Sequence, residues 1–292
     1  TIPRPITMTT LFKRLSLVAL LIVTGCGRGG DGSSSRKVIQ NKGSDTLVNV
    51  AQAWAEAYRT VDPSIAVAVT GGGSGTGIAA LINGTVDIAN ASRSMKDSEF
   101  EQARANGQEP IEFVVGFDAL AVFVHKDNPI SEISLEQLAD IYGEGGETVN
   151  WADLGIEVPG CSGQEIIRVS RQNNSGTYAY FRSAVLGKDR DYKLGSRDMH
   201  GSKDVVDLVL NTACSIGYSG LAYATDEVKM VPVVSDGGAP VSPSVDTAID
   251  GSYPIARPLF MYTSGQPTGH IKVYLDWILS SEGQCIILNK GY

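Results

Sequence analysis

The chain has 292 residues, is 42% hydrophobic and 19% charged, and carries a formal net charge of −8. That length allows one large or two medium domains with buried cores. The acidic balance excludes nucleic acid and anionic membrane surfaces as electrostatic partners, because both attract basic chains. Any anion bound here must be held by local geometry against long-range repulsion.

Residues 1–35 read as a targeting segment and tether, apart from the folded domain. Met8 is the expected start, and Lys13 and Arg14 precede an apolar run over 15–23 that is too short to span a bilayer. The run ends in Val23-Thr24-Gly25-Cys26, which resembles a bacterial lipobox with Cys26 as the lipidated residue. An ordinary signal peptide with an incidental cysteine is the alternative. Residues 27–35 are Gly/Ser-rich and read as a flexible tether. The expectation is therefore export to the periplasm or cell surface, with the membrane reached through a lipid anchor only. Export places Cys161, Cys214 and Cys285 in an oxidising compartment. Cys161 and Cys214 fall in the same middle region and are candidates to pair, buried free thiols being the alternative.

From residue 37 the chain alternates strand-like and helical patterns, which predicts α/β architecture. A first strand is expected over 37–40, and Leu47, Val50, Ala51, Trp54, Ala55 and Tyr58 then recur at helical spacing. A strand over 65–69 runs into the glycine loop 71–77, and Ile78, Leu81 and Ile82 mark the next helix. Strand-like runs follow over 86–89, 111–115 and 119–124, the last two continuous as in buried strands. Leu135, Leu138, Ile141 and Tyr142 fit a helix, and a strand over 166–170 delivers Arg171. Tyr178, Phe181 and Val185 share one helical face, Val205, Val206 and Val209 another. A strand over 216–223, a loop over 236–250 and a strand over 257–262 come next. Ile271, Tyr274, Leu275, Ile278 and Leu279 give a final amphipathic helix.

Three hydroxyl- and glycine-rich junctions each stand where a helix is expected to begin. They are Gly43-Ser44-Asp45-Thr46, the loop 71–77 with Ser74 and Gly75, and Asn173-Asn174-Ser175-Gly176-Thr177. A helix N-terminus carries unpaired N–H groups and partial positive charge, so each junction is an anion cradle in prospect. Arg93 and Arg171 add planar forks of donors suited to oxyanions. Taken singly, Ser44 or Asp45 is equally well read as a helix cap. The 71–77 loop lacks the Gly-Lys-Ser/Thr ending of a nucleotide loop and the later acidic residue of a dinucleotide fingerprint. His125, His200 and His270 are scattered, so no metal site and no cofactor are expected.

Six strings in order resemble the periplasmic phosphate-binding protein of the bacterial ABC phosphate-uptake system, from about Lys37 to the end of the sequence. They are Gly43-Ser44-Asp45-Thr46-Leu47, Gly73-Ser74-Gly75, the run from Asp87 to Arg93, Asp118-Ala119-Leu120-Ala121-Val122-Phe123-Val124, Arg171 with Ser175-Gly176-Thr177, and the run from Ile216 to Tyr223. The ending Leu279-Ser280-Ser281-Glu282-Gly283-Gln284 also fits.

The resemblance implies a two-lobed periplasmic-binding-protein fold of type II with hinge-linked lobes, one of residues 36–126 plus 256–292 and the other of 127–255. Crossovers are expected near 123–128 and 253–259. It implies inorganic phosphate in the cleft, held by Ser44, Asp45, Thr46, Ser74, Gly75, Arg93, Arg171, Ser175, Gly176 and Thr177. It implies a monomer that delivers phosphate to the transmembrane subunits of an ABC permease and catalyses nothing. Many members carry an aspartate where this sequence has Arg93. Asp45 is the expected substitute acceptor for the proton of hydrogen phosphate, with Arg93 balancing charge. A receptor for sulfate, molybdate or a related oxyanion is the alternative, and a phosphatase a more distant one, since no base or metal cluster accompanies Ser175.

Overall fold

The computed structural model describes residues 36–292, and Cys26 and the expected tether lie outside them. The first body opens with β1 (Lys37–Gly43), α1 (Val48–Val61), β2 (Ile65–Thr70), α2 (Ser74–Ile82), β3 (Ile88–Ala91) and α3 (Asp97–Ala105). Strand β4 (Pro110–His125) then crosses the molecule and leads to β5 (Ile133–Ser134), α4 (Leu135–Tyr142), β6 (Ile167–Arg171) and α5 (Gly176–Phe181). The chain continues through β7 (Arg197–Met199), α6 (Ser202–Leu210), β8 (Ser215–Gly220), β9 (Val228–Val231), β10 (Val233–Val234) and α7 (Val245–Ile249). It returns along β11 (Ala256–Ser264) and ends in α8 (Gly269–Ile278) and α9 (Ser281–Asn289).

Hydrophobic spacing explains most of these elements. The face of α1 carrying Val50, Ala51, Trp54 and Tyr58 is buried. Trp54 also donates from Nε1 to the Gly283 carbonyl at 2.7 Å, which ties α9 to α1 across 229 residues of sequence. In β4 the segment from Ala119 to Val124 is buried without a break, because both faces of the sheet are covered there.

The main sheet runs β2-β1-β3-β11-β4-β8-β6-β7, with β9 on the other side of the far end of β4. Strands β1, β2 and β3 are parallel, as are β6, β7 and β8, while β4 and β11 run antiparallel to each other. Between Pro110 and Ala119, β4 pairs with β11; from Leu120 to Val124 it pairs with β8. The change of partner falls at Ala119–Leu120, a few residues before the stretch 123–128 that the resemblance implies.

That seam separates the cores. Buried clusters on one side draw only on residues 39–115 and 259–292, among them Ile39, Trp54, Leu259 and Tyr274. Those on the other draw only on 119–255, among them Leu120, Trp151, Phe181 and Tyr218. Two lobes, each with its own core, are thus joined by β4, which runs unbroken through the seam, and by the turn that leads into β11 at Ala256. Cys161 and Cys214 form a disulfide in the second lobe, and Cys285 is free and exposed.

Some elements differ from the sequence reading. Helix α3 was without an apolar signal, since only Ala103 on it is buried. Helix α7 stands inside the expected loop 236–250, started by Ser244, whose hydroxyl accepts the Thr247 amide. The runs 111–115 and 119–124 are one strand of 16 residues. The expected final helix is α8, and α9 follows it as a further helix that the sequence reading did not include. No helix among the described residues is long and apolar enough to cross a membrane.

Candidate anion-binding site

The three junctions meet at the seam, and glycine makes the meeting possible. Strand β1 ends at Gly43 with φ of +146°, where a Cβ would stand 2.1 Å from the Asn90 carbonyl oxygen. The following turn therefore lies directly against the end of β3. Its Ser44 hydroxyl donates to Ser92 Oγ at 2.9 Å, and Ser74 Oγ lies 3.3 Å from the same atom. The Ser92 amide donates to Ser74 Oγ at 3.0 Å. Gly176, the first residue of α5, closes over this serine group: a Cβ there would be 2.2 Å from Ser74 Oγ and 2.6 Å from Ser92 Oγ.

Other contacts draw the same loops together. Thr46 Oγ1 and Thr177 Oγ1 are 3.0 Å apart. Ser175 caps α5, its hydroxyl accepting from the Thr177 amide at 3.1 Å. The Gly75 amide donates to the Asn174 carbonyl at 2.9 Å, and Asn174 Nδ2 donates to the Gly72 carbonyl at 2.9 Å. Ser44, Thr46, Ser74, Ser92, Ser175 and Thr177 are all buried. Buried hydroxyls at this density are stable only where partners satisfy them, and here they largely satisfy one another.

The charges lie beside the hydroxyls. Arg171 ends β6 with 1% of its surface exposed. Its Nη1 donates to Ser202 Oγ at 2.9 Å, and Nη2 donates to the His200 carbonyl at 2.7 Å and to Asp45 Oδ2 at 3.4 Å. Its Nε, also buried, has no hydrogen-bond partner among the described residues. Burial pushes the Arg171 guanidinium down from its ordinary range, with Asp45 pulling it back up and Arg257 adding to the downward push. A guanidinium starts so high that it stays charged at neutral pH.

Asp45 does not cap α1. Leu47 holds the cap position, and the Asp45 carboxylate instead accepts the Gly72 amide at 2.8 Å while facing Arg171. Tyr223 fixes the turn from behind, its hydroxyl donating to the Asp45 carbonyl at 2.6 Å. Burial pushes that phenol up to about 12, so it remains a donor at neutral pH. The Tyr292 hydroxyl donates to the Thr46 carbonyl.

The structure thus brings together Ser44, Asp45, Thr46, Ser74, Gly75, Arg171, Ser175, Gly176 and Thr177. It does not bring Arg93 to them. Arg93 forks onto Glu99 with bonds of 2.7 and 2.8 Å, and also donates to the Ser94 carbonyl. Its charge is absorbed within its own lobe. Sequence reading missed Ser92, Ser202, Tyr223, Tyr292 and a buried ion pair, Asp118 with Arg257 at 2.8 Å. The available signal for that pair was a charge at the edge of each of two apolar runs, ahead of Ala119-Leu120 and of Pro258-Leu259-Phe260.

Residues 30–282 match the PBP superfamily domain. The Phosphate-binding protein PstS of Pseudomonas aeruginosa is 35% identical, covering 87% of this chain and 82% of that protein. The chain belongs to the PstS-type family of substrate-binding proteins. Protein SphX of Synechococcus elongatus is 34% identical over 95% of this chain and 85% of its own length. Among solved structures, a putative phosphate ABC transporter substrate-binding protein with bound phosphate from Clostridium perfringens is 31% identical. Its TM-score is 0.77, with 87% of this chain and 98% of that one covered. An ABC-type phosphate transport receptor from Vibrio cholerae aligns with a TM-score of 0.69 at 27% identity, over 87% of this chain and 98% of that one. PstS-type proteins bind and do not catalyse, and the two-lobed fold described above is theirs.

Proposed function

We propose that the seam between the lobes binds inorganic phosphate for delivery to an ABC permease, outside the cytoplasm. The observation that carries this reading is Arg171, buried to 1% exposure with its Nε unpartnered, beside six buried hydroxyls. The guanidinium only donates and each hydroxyl is able to donate, which suits a small tetrahedral oxyanion. Among the described residues, Asp45 is the one carboxylate within ion-pair distance of Arg171. Hydrogen phosphate carries a proton to offer it and sulfate does not, so an unprotonated oxyanion would leave two negative oxygens in contact.

The ligand set in this reading is Ser44, Asp45, Thr46, Ser74, Gly75, Arg171, Ser175, Gly176 and Thr177, with Ser92 added and Arg93 left out. One lobe takes residues 36–118 and 257–292, and the other 119–256, as the change of strand partner supports. Opening and closing would be a rotation about β4 and β11. The protein acts as a monomer, held at the membrane through a lipid on Cys26.

Isothermal titration of the purified protein with phosphate, repeated in excess sulfate, tests this reading. One phosphate per chain, undisturbed by sulfate, is the expected outcome. Competition by sulfate would make it a general oxyanion receptor, and binding of neither would overturn the proposal.

A further inference from the structure

Asp118 and Arg257 stand directly opposite each other in the β4–β11 ladder, one residue before β4 changes partner. Both are at most 1% exposed. Arg257 Nε and Nη2 donate to Asp118 Oδ2 at 3.1 and 2.8 Å. The same guanidinium then reaches three loops. Nη1 donates to the Ser92 carbonyl at 3.0 Å, and Nη2 donates to Thr177 Oγ1 at 3.0 Å and Thr46 Oγ1 at 3.4 Å. Asp118 Oδ1 accepts the Leu221 amide at 3.2 Å. The Tyr180 ring packs 5.4 Å from the guanidinium carbon.

We propose that the Asp118–Arg257 pair is a positioning element for the anion site, setting both the placement and the donor sense of the Thr46 and Thr177 hydroxyls. The inference rests on the phosphate reading above. A guanidinium has only donors, so each threonine oxygen that it contacts must accept there. The two oxygens are also 3.0 Å from each other. One hydroxyl proton can serve that mutual bond, and the other is left to point at an acceptor. With a lone pair on each oxygen occupied by Arg257, the threonine that keeps its proton free faces an anion as a donor. Asp118 cancels the added charge, so the pair contributes geometry with little net field. A buried ion pair is weak evidence of stability, and an apolar pair of similar volume often serves the fold as well. What an apolar pair cannot do is hold two hydroxyls by their acceptor side.

The test compares the parent protein with Arg257→Lys, using phosphate titration and thermal unfolding without ligand. Lysine keeps a charge for Asp118 but gathers its donors on a single nitrogen, without the planar fork that spans Asp118, the Ser92 carbonyl and the two threonines at once. The expected result is a folded protein whose phosphate affinity falls at least tenfold. A double-mutant cycle with Thr177→Val separates positioning from general support. If Arg257 acts through that hydroxyl, the double variant loses less than the product of the two single losses. Affinity within twofold of the parent in Arg257→Lys, or losses that multiply, would overturn the inference. Should Arg257→Lys fail to fold, the paired change Asp118→Leu with Arg257→Met gives the same reading: stable but at least tenfold weaker supports it, and stable with parental affinity sinks it. A parent protein that does not bind phosphate would refute the reading on which the inference stands, a result distinct from parental affinity in the variants.

Discussion

Asp45, expected as an acceptor at the anion site with helix capping as the alternative, is not a cap in the structure. Its position before α1 invites a capping role, yet the carboxylate turns to Gly72 and Arg171. Asp45→Asn keeps the shape and removes the charge. A hydrogen bond to a charged group contributes about 1.5–3 kcal/mol, so titration of this variant should show phosphate bound roughly ten- to a hundredfold more weakly. Sulfate should begin to compete in the same experiment, and selectivity equal to the parent's would remove Asp45 from the acceptor role. Gly176 makes a second case at this scale. A methyl group there would overlap Ser74 Oγ and Ser92 Oγ, so Gly176→Ala should lower stability by about 1–3 kcal/mol in a thermal melt and weaken phosphate binding with it. The hydroxyl-glycine strings made these residues legible, because each is local: a turn, a cap and a helix start share one stretch of chain. Arg257 was not legible, since its partner Asp118 stands 139 residues away and nothing in either string names the other.

Among the elements, α3 shows how a polar helix escapes a periodicity search and still decides a nearby assignment. Its Glu99 receives the Lys96 amide at 2.8 Å and both terminal nitrogens of Arg93. The sequence offered Arg93 as an anion ligand because it follows a serine in a family-like string. The competing signal, a glutamate six residues on, becomes meaningful only once α3 exists. Burial pushes the Glu99 carboxyl up, but the Arg93 bonds and the Lys96 amide outweigh it and hold the group below its ordinary value near 4.5. A carboxyl lowered by folding stabilises the protein above its unfolded-state value and loses that contribution as pH falls through the folded one. Melts from pH 7 downward should therefore show Arg93→Ala losing its deficit against the parent below about pH 4. A deficit independent of pH would mean that the pair contributes no charge-linked stability. The disulfide gives the second lobe its own prediction. A bridge across 53 residues is worth about 4 kcal/mol in the chain-entropy account. Reduction should lower the melting temperature by roughly 10 °C, and an unchanged melt would show that the bridge adds nothing to stability.

For the whole molecule, the alternation of strands and helices announced α/β architecture and the family resemblance implied two lobes; in the structure neither core borrows a buried residue from the other side of the seam. Less legible was where one lobe ends. Two apolar runs read as two strands, and only pairing shows that they are one strand with two successive partners. Ligand that binds the folded state alone must stabilise both lobes together, since each supplies part of the site. At a hundredfold excess over Kd, phosphate should raise the unfolding free energy by about 2.7 kcal/mol. Calorimetry should show the whole unfolding profile move upward; movement of only one of two transitions would place the ligand in a single lobe.

The pairing of β4 and β11 up to the seam carries a mechanical consequence. A flexible loop joining two bodies swings almost freely, but β4 and β11 are laced to each other from Pro110 to Ala119. They also skip a residue opposite Leu259–Phe260, an irregularity of the kind that sharpens local twist. The laced stretch lies on the first lobe's side of the seam, so that lobe meets the connection as a stiff, twisted two-strand edge, and the bending between the lobes falls just beyond Ala119 and just before Ala256.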